Sequence, residues 1–355
     1  MNVLIDARPL CIPSPGGVTR LTKQLLDEFF AIDSKNTYFL GTTGWRKPVL
    51  PWIENPRYQH FHRTVPNKIV SGLATLKLIS FEHWMHPTKA DVLFLPNLGF
   101  VRTPRIPYVL LVHDLTFLTE PSWYSFRGRL WHKAVHAVDL IKNATHLVTT
   151  SQYVKTELIR QLSITADRIS VLPYLPKPTG SVGELPSSLQ GKRYLLCLGA
   201  NDRRKNVMAT VGVWEQLHQE KRFESIELVL IGNSLHVPLL PIPGLHYFHR
   251  PTDDLLATLY QHAAAFIYPT WSEGYGIPLH EAARFETPCI ASSGSALEET
   301  APRGTLFIPP EKPHLLLEAL RIQLTTPQKT SAKISSIPNE SGQALLRIFE
   351  GIVKK

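Results

Sequence analysis

The sequence predicts an α/β protein of two domains, each a parallel sheet wound with helices on both faces. Three observations predict it. At 355 residues the chain exceeds the ~250–300 residues at which one hydrophobic core stops growing. Short runs of Val, Leu and Ile, the length of buried parallel strands, alternate with amphipathic stretches of helical length. A segment rich in Pro, Gly and Ser, residues 173–190, interrupts this alternation, which then restarts.

Before the interruption, strands are expected at residues 3–5, 92–95, 108–113 and 146–150, and helices over about 18–30 and 126–142. After it, strands are expected at 194–198, 227–231, 246–248, 265–268 and 288–291. Beyond residue 327 the chain is polar and weakly patterned until 343–353, where apolar residues return at helical spacing and predict a terminal helix. No fixed-period self-similarity relates the halves, so any duplication is architectural. The expected division is a first domain at 1–173, a linker at 174–192, a second domain at 193–338 and a C-terminal helix at 339–355.

An apolar fraction of 43% and a charged fraction of 19% are those of a globular protein, and no apolar run has membrane-spanning length. Met1-Asn2-Val3-Leu4-Ile5-Asp6 puts an acid after a very short apolar run, unlike a signal peptide, so a cytoplasmic location is expected. Cys11, Cys197 and Cys289 are widely spaced and two lie in strand-like runs, which predicts reduced thiols rather than disulfides or metal ligands. The net charge of +9 favours an anionic partner: a phosphate-bearing small molecule, an anionic membrane surface or nucleic acid. The 15 histidines are not read as forming a zinc site.

Four constellations carry chemistry. Gly16-Gly17 follows the first strand and opens a helix, reading either as an anion-binding helix start or as a plain flexible turn. His113-Asp114 ends an expected strand, where open α/β sheets place ligands; Asp114 either orients the imidazole or caps the next turn. Arg203-Arg204-Lys205-Asn206 follows the first strand of the second half, reading as a diphosphate-binding turn or as a solvated basic loop. The most specific is residues 268–282, where Glu273, then Gly274-Tyr275-Gly276-Ile277, then Pro278 and Glu281 run from a strand through a glycine loop into a helix. Carboxylates flanking such a loop suit sugar hydroxyls while backbone N–H groups face a phosphate. A surface acid and a helix-surface ion pair are the plainer reading of the two glutamates, and leave the paired glycines unexplained.

On these residues the chain resembles the retaining glycosyltransferases of the GT-B fold, family four, which include many mannosyl- and glucosyltransferases of bacterial cell-surface polysaccharide and glycolipid assembly. Glu273 and Glu281 stand at that family's Glu-x7-Glu spacing, and the likeness extends to Asp6-Ala7-Arg8, His113-Asp114-Leu115, Ser151-Gln152-Tyr153, Arg204-Lys205-Asn206 and Pro288-Cys289-Ile290. The resemblance implies two Rossmann-like domains facing across a cleft, an acceptor-side N-terminal domain, a nucleotide-sugar-binding C-terminal domain and a terminal helix packed back on the first. It implies that Lys205, with Arg204, contacts the donor diphosphate and that Glu281 holds the ribose hydroxyls. Glu273 lies near hydroxyls of the transferred sugar, Gly274, Tyr275, Gly276 and Ile277 line the sugar and phosphate path, and Gly16, Gly17 and His113 face them from the first domain.

The implied reaction is transfer of a hexose of mannose or glucose type to a glycan or lipid-linked acceptor, with the nucleotide-diphosphate sugar as co-substrate and no resident cofactor. Fixed cations and a helix start stabilise the leaving diphosphate, and no Asp-x-Asp pair is present to hold a divalent ion. Departures from the family are Glu286 where glycine is common, Glu298-Glu299 in place of Pro-Glu, and Arg203 where proline is usual. The alternatives are a phosphorylase or epimerase of the same fold acting on sugar phosphates or nucleotide sugars, and a non-catalytic nucleotide-sugar or nucleic-acid binder. Peripheral contact with the inner face of an anionic membrane is a further expectation, from Lys47, Arg57, Arg63, Lys68 and Lys77 among Trp45, Trp52 and Phe61; an ordinary solvated face explains the same residues.

Overall fold

The computed structural model describes residues 1–354 except 12–15, 53–54, 67–68, 71, 74–75, 77–80, 82–84, 86–89, 100–104, 178–179, 201, 234–241 and 333–338. The chain divides into two compact units, residues 1–174 with 336–355, and residues 175–335.

In the first unit β1 (Asn2–Asp6), α1 (Gly17–Ile32), β2 (Thr37–Thr43), β3 (Tyr58–Arg63), β4 (Val92–Leu95) and β5 (Tyr108–Leu111) are followed by α2 (Thr116–Thr119), α3 (Phe126–Ala134), α4 (Ala137–Lys142), β6 (His146–Thr149), α5 (Gln152–Leu162) and β7 (Ile169–Val171). The strands pair in the order β3-β2-β1-β4-β5-β6-β7. Every pairing is parallel, and the winding reverses between β1 and β4. β4 and β5 are buried at every residue, because helices cover both faces of such a sheet and the strand sequence must then be apolar throughout.

The second unit runs through β8 (Tyr194–Leu198), α6 (Val207–His218), β9 (Glu227–Gly232), β10 (Leu245–His249), α7 (Asp253–His262), β11 (Ala265–Tyr268), α8 (Ile277–Ala283), β12 (Cys289–Ser292), α9 (Leu297–Thr300), β13 (Leu306–Ile308) and α10 (Pro313–Thr325). Its six parallel strands lie in the order β10-β9-β8-β11-β12-β13, so β8 and β11 are neighbours across the reversal. The final helix, α11 (Glu340–Val353), belongs to the first unit, where Phe349 packs edge-on against Phe29 and Phe94 at ring distances of 5.4 and 5.7 Å. Gly342 permits that approach: a Cβ there would lie 2.7 Å from backbone atoms of Glu28 and Phe29.

Several elements differ from expectation. The strand expected to reach His113 ends at Leu111, so His113 lies in the loop beyond it. The single helix expected over 126–142 is two, because His136 adopts the left-handed conformation at φ 50° and interrupts the helical ladder. β3, with the sequence Tyr-Gln-His-Phe-His-Arg, is an edge strand, half-solvated and therefore polar, which hid it from an apolar-run reading. Within the second unit, the Pro- and Gly-rich stretch runs along α7: Ser181 N–H donates to Asp254 at 2.7 Å and Gly183 N–H to the Thr258 hydroxyl at 2.8 Å.

The three cysteines are free thiols, and burial pushes Cys197 and Cys289 up to about 12 and Cys11 up to about 11. Glu286 sits at φ 54°, in the left-handed region that glycine adopts without strain. Its exposed contact with Lys329 contributes little against backbone strain of about 1–2 kcal/mol. Glu286→Gly is accordingly expected to leave the melting temperature unchanged or raise it slightly, and the β-branched Glu286→Val to lower it by several degrees, as read by thermal denaturation.

Candidate functional site

Two loops leave the carboxyl ends of the adjacent strands β8 and β11, the position at which an open α/β sheet presents ligand-binding groups. After β8, Gly199 takes φ +95°, and a Cβ on it would lie 2.4 Å from Cγ of Lys205. A 3-10 turn, Arg203–Lys205, follows, capped by the Asp202 carboxylate, which accepts from the Arg204 amide at 2.9 Å. Asn206, left-handed at φ 52°, then directs the chain into α6.

The Lys205 ammonium donates to the Tyr268 hydroxyl at 2.5 Å, pairs with Oε1 of Glu273 and lies 4.7 Å from the centre of the Tyr268 ring. Side-chain exposures of 15% for Lys205 and 10% for Glu273 make this a largely desolvated pair at the mouth of the loop. Burial, with the adjacent Glu273 carboxylate, holds Tyr268 well above the ordinary phenol range, so it remains a neutral donor and acceptor. The two loops are stitched together, Trp271 N–H donating to the Arg204 carbonyl at 2.8 Å and the Thr270 hydroxyl lying 3.0 Å from that carbonyl and 3.2 Å from Glu273.

The glycine loop ends at Gly276, left-handed at φ 94° and without a side-chain cap, before α8, which carries Pro278 in its first turn. Leu297 fills the space a Cβ on Gly276 would need, coming within 2.3 Å of it. Tyr275 stacks on His280 at 5.1 Å between ring centres, and its carbonyl accepts from the Thr300 hydroxyl. These contacts hold the backbone of Gly274, Tyr275, Gly276 and Ile277 in one conformation. Glu281, further along α8, accepts from the hydroxyl of buried Tyr260 on α7 at 3.2 Å.

The structure thus brings Arg204, Lys205, Glu273 and residues 274–277 together in the second unit, with Glu281 on the helix that follows. Gly16, Gly17 and His113 are in the first unit. Gly16 is exposed and its carbonyl accepts from Arg20 N–H at 3.0 Å, starting α1 with no side-chain cap. His113 donates from Nε2 to the Pro96 carbonyl at 2.9 Å, which leaves Nδ1 as the unprotonated nitrogen of the neutral ring. Asp114 accepts from the amide and hydroxyl of Thr116 at 3.0 and 2.6 Å and so fixes the turn that leads into α2, whose N-cap position is Leu115.

Sequence reasoning did not assign Tyr268, Thr270 or Tyr260. Tyr268 closes an apolar strand and reads as core there. Thr270 is two residues further on, and Tyr260 lies on another element; their roles exist only through pairing of β8 with β11 and packing of α7 on α8.

Burial depresses three first-unit histidines: His60 to about 4, and His113 and His132 below their ordinary 6.5. Neutral in the fold, they bind protons only in the unfolded chain as pH falls below about 6.5, so stability is lost between about 6.5 and about 4. Melting temperature is expected to fall through that window, and His60→Gln to flatten the fall.

Residues 192–325 match the family model of the glycosyl transferases group 1. The O-antigen chain mannosyltransferase B of Escherichia coli is 27% identical over 209 residues, 54% of this chain and 54% of the relative. The chain spans about half the length of the curated relatives it matches. Among solved structures, the sucrose-phosphate synthase of Thermosynechococcus elongatus superposes with a TM-score of 0.65 over 99% of this chain and 96% of that one, at 17% identity. Anabaena HepE, solved with UDP and glucose, gives 0.61 over 100% and 97%, at 14% identity. The chain therefore has the GT-B fold, two parallel-sheet Rossmann-like domains, and its second unit carries the sequence match to the group 1 glycosyltransferases.

Proposed function

We propose that this chain is a retaining family-four glycosyltransferase that moves a hexose of mannose or glucose type from a nucleoside-diphosphate sugar to a cell-surface glycan or glycolipid acceptor, without a metal ion. The observation that carries the reading is Lys205, a cation held in a largely desolvated position by Glu273 and Tyr268 where two adjacent strands open. The match of residues 192–325 to a glycosyltransferase model and the likeness to an O-antigen mannosyltransferase support sugar transfer and its class of product. The UDP and glucose bound by HepE support a nucleotide-sugar donor.

When the anomeric carbon–oxygen bond breaks, its electron pair passes to the diphosphate oxygen while the acceptor hydroxyl bonds the same face of the anomeric carbon and passes its proton to that departing oxygen. Charge grows on the diphosphate, and a fixed ammonium stabilises that growth more than it stabilises the intact donor. Arg204 adds a second cation beside Lys205, and the uncapped start of α8 offers backbone N–H groups to the same anion. Glu273 orients Lys205 and sugar hydroxyls, and Glu281 engages the ribose. The test is a screen of UDP-, GDP-, ADP- and TDP-sugars for nucleoside diphosphate release by the purified protein, with and without EDTA. Release from one donor class, unaffected by EDTA, is expected; release from none, with no donor shifting the melting temperature, refutes the reading.

A further inference from the structure

The turn after β8 carries three cations, and two of them are matched by carboxylates. Arg204 lies 3.4 Å from Asp202, and Lys205 pairs with Glu273. Arg203 is exposed, and its guanidinium has no hydrogen bond, ion pair or ring contact among the described residues. In a 3-10 turn consecutive side chains point about 120° apart. Lys205 is directed inward onto Tyr268 and Glu273, so Arg203 is directed away from them, into solvent.

Trp271 stands beside this turn. Its amide donates to the Arg204 carbonyl at 2.8 Å, and the Thr270 hydroxyl lies 3.0 Å from that carbonyl and 3.1 Å from the carbonyl of Ser272. The backbone is thereby fixed, yet the indole is 37% exposed. Its N–H has no acceptor, and its ring no aromatic or cationic neighbour, among the described residues. Such surface left in water forgoes about 25 cal/mol for each Å² that a ligand could cover. The residues of the first unit expected at a membrane are different. Trp52 donates to Asp27 at 3.0 Å, Phe61 packs on Phe39, and Arg57 donates to the Asp33 carbonyl at 2.5 Å; Lys68 and Lys77 lie outside the described residues.

Arg203 and Trp271 lie on the side of Lys205 away from Glu281. Alternate residues of β8 point to opposite faces of the second sheet. α6, which continues the turn, packs in the core built on Leu195 and Cys197, whereas α7 and α8 pack in the core built on Tyr194 and Leu196. Glu281 is on α8, held by Tyr260 of α7. With the ribose at Glu281 and the diphosphate at Lys205, the nucleoside occupies the α8 side and leaves Arg203 and Trp271 to another ligand.

We infer that Arg203 and Trp271 form a saccharide subsite in the second unit that takes an anionic hexose of the acceptor, its carboxylate or phosphate on the guanidinium and its C–H face on the indole. Each group selects one half of that ligand. The guanidinium fork matches a carboxylate or phosphate, while the negative face of an indole suits the flat C–H face of a pyranose and its N–H a sugar hydroxyl. A neutral sugar leaves Arg203 unused, and a free phosphate leaves Trp271 in water. The inference rests on the reaction proposed above for the orientation of the site, but binding at the subsite needs neither donor nor turnover.

The experiment is titration of the full chain, isotope-labelled in nitrogen, with methyl glucuronide, mannose 6-phosphate, methyl mannoside and inorganic phosphate, followed by NMR at the indole N–H signals. Trp271→Phe identifies the Trp271 signal by its loss. One or both anionic sugars should shift that signal saturably, about tenfold more tightly than methyl mannoside or phosphate; which of the two does so tells a carboxylate from a phosphate. Arg203→Gln should weaken binding of the anionic sugar about tenfold, to the level of methyl mannoside, and Trp271→Ala should weaken charged and neutral sugars alike by about tenfold. Trp271→Phe, which keeps an aromatic face, should lose less, and melting temperatures check that each variant is folded. No saturable shift with either anionic sugar, equal affinity for methyl mannoside, or loss of UDP and GDP affinity in Arg203→Gln, which would put that guanidinium on the diphosphate, each overturns the inference. Sugar binding here with a negative donor screen refutes the proposed reaction and keeps the saccharide subsite.

Discussion

Lys205→Ala is expected to lower kcat/KM for the nucleotide sugar by about 10²–10³-fold, which is the loss of about 2.7–4 kcal/mol of transition-state stabilisation. In the proposed reaction the side chain lies where charge on the leaving diphosphate grows, and its low exposure means that little water is present to substitute for it. Lys205→Arg should recover only part of the rate, because the guanidinium is larger and planar and the site is shaped around a point charge between Glu273 and the Tyr268 ring. The alanine variant also leaves the Glu273 carboxylate largely buried without its cation, so a lower melting temperature accompanies the loss of activity. Steady-state kinetics on a variant shown to be folded separates the two effects. A folded Lys205→Ala protein that releases nucleoside diphosphate at the parental rate would remove Lys205 from the reaction.

That result bears on what the sequence alone can reveal of a site. Lys205 and Glu273 stand out in the sequence because each lies in a short polar motif on the loop that leaves the carboxyl end of an apolar strand. Their pairing was not legible: 68 residues separate them, and only the parallel register of β8 with β11 makes them neighbours. Tyr260 was less visible still. Its contact with Glu281 depends on how α7 lies against α8, and in sequence it is one aromatic on an apolar helix face.

The fold shows the same limit. Strands buried on both faces, such as β4, β8 and β11, are continuous apolar runs and were read within a residue of their observed ends. Missed strands are those for which burial does not dictate composition: the edge strand β3, the short β7 and β13, and β2, whose carboxyl half is Gly-Thr-Thr. The break at His136 has no local signal, since neither glycine nor proline marks it; a left-handed histidine is tolerated there because packing on both sides over-determines the turn.

Phe349→Ala is expected to destabilise the protein by about 3–5 kcal/mol, the cost of removing a fully buried aromatic ring and leaving the cavity. The ring lies against Phe29 on α1 and Phe94 on β4, so the void opens between a helix and a strand near the middle of the first sheet. Phe349→Leu, which keeps most of the volume, should lose about half as much or less. The location of the loss matters more than its size. The first unit is assembled from residues 1–174 and 336–355, so its core is completed by the last helix of the chain, after the whole of the second unit has been connected. Hydrogen exchange on Phe349→Ala should therefore show amides of β1 and β4 losing protection while those of β8 and β11 keep it. Equal loss in both sheets would mean that the two units unfold as one cooperative body.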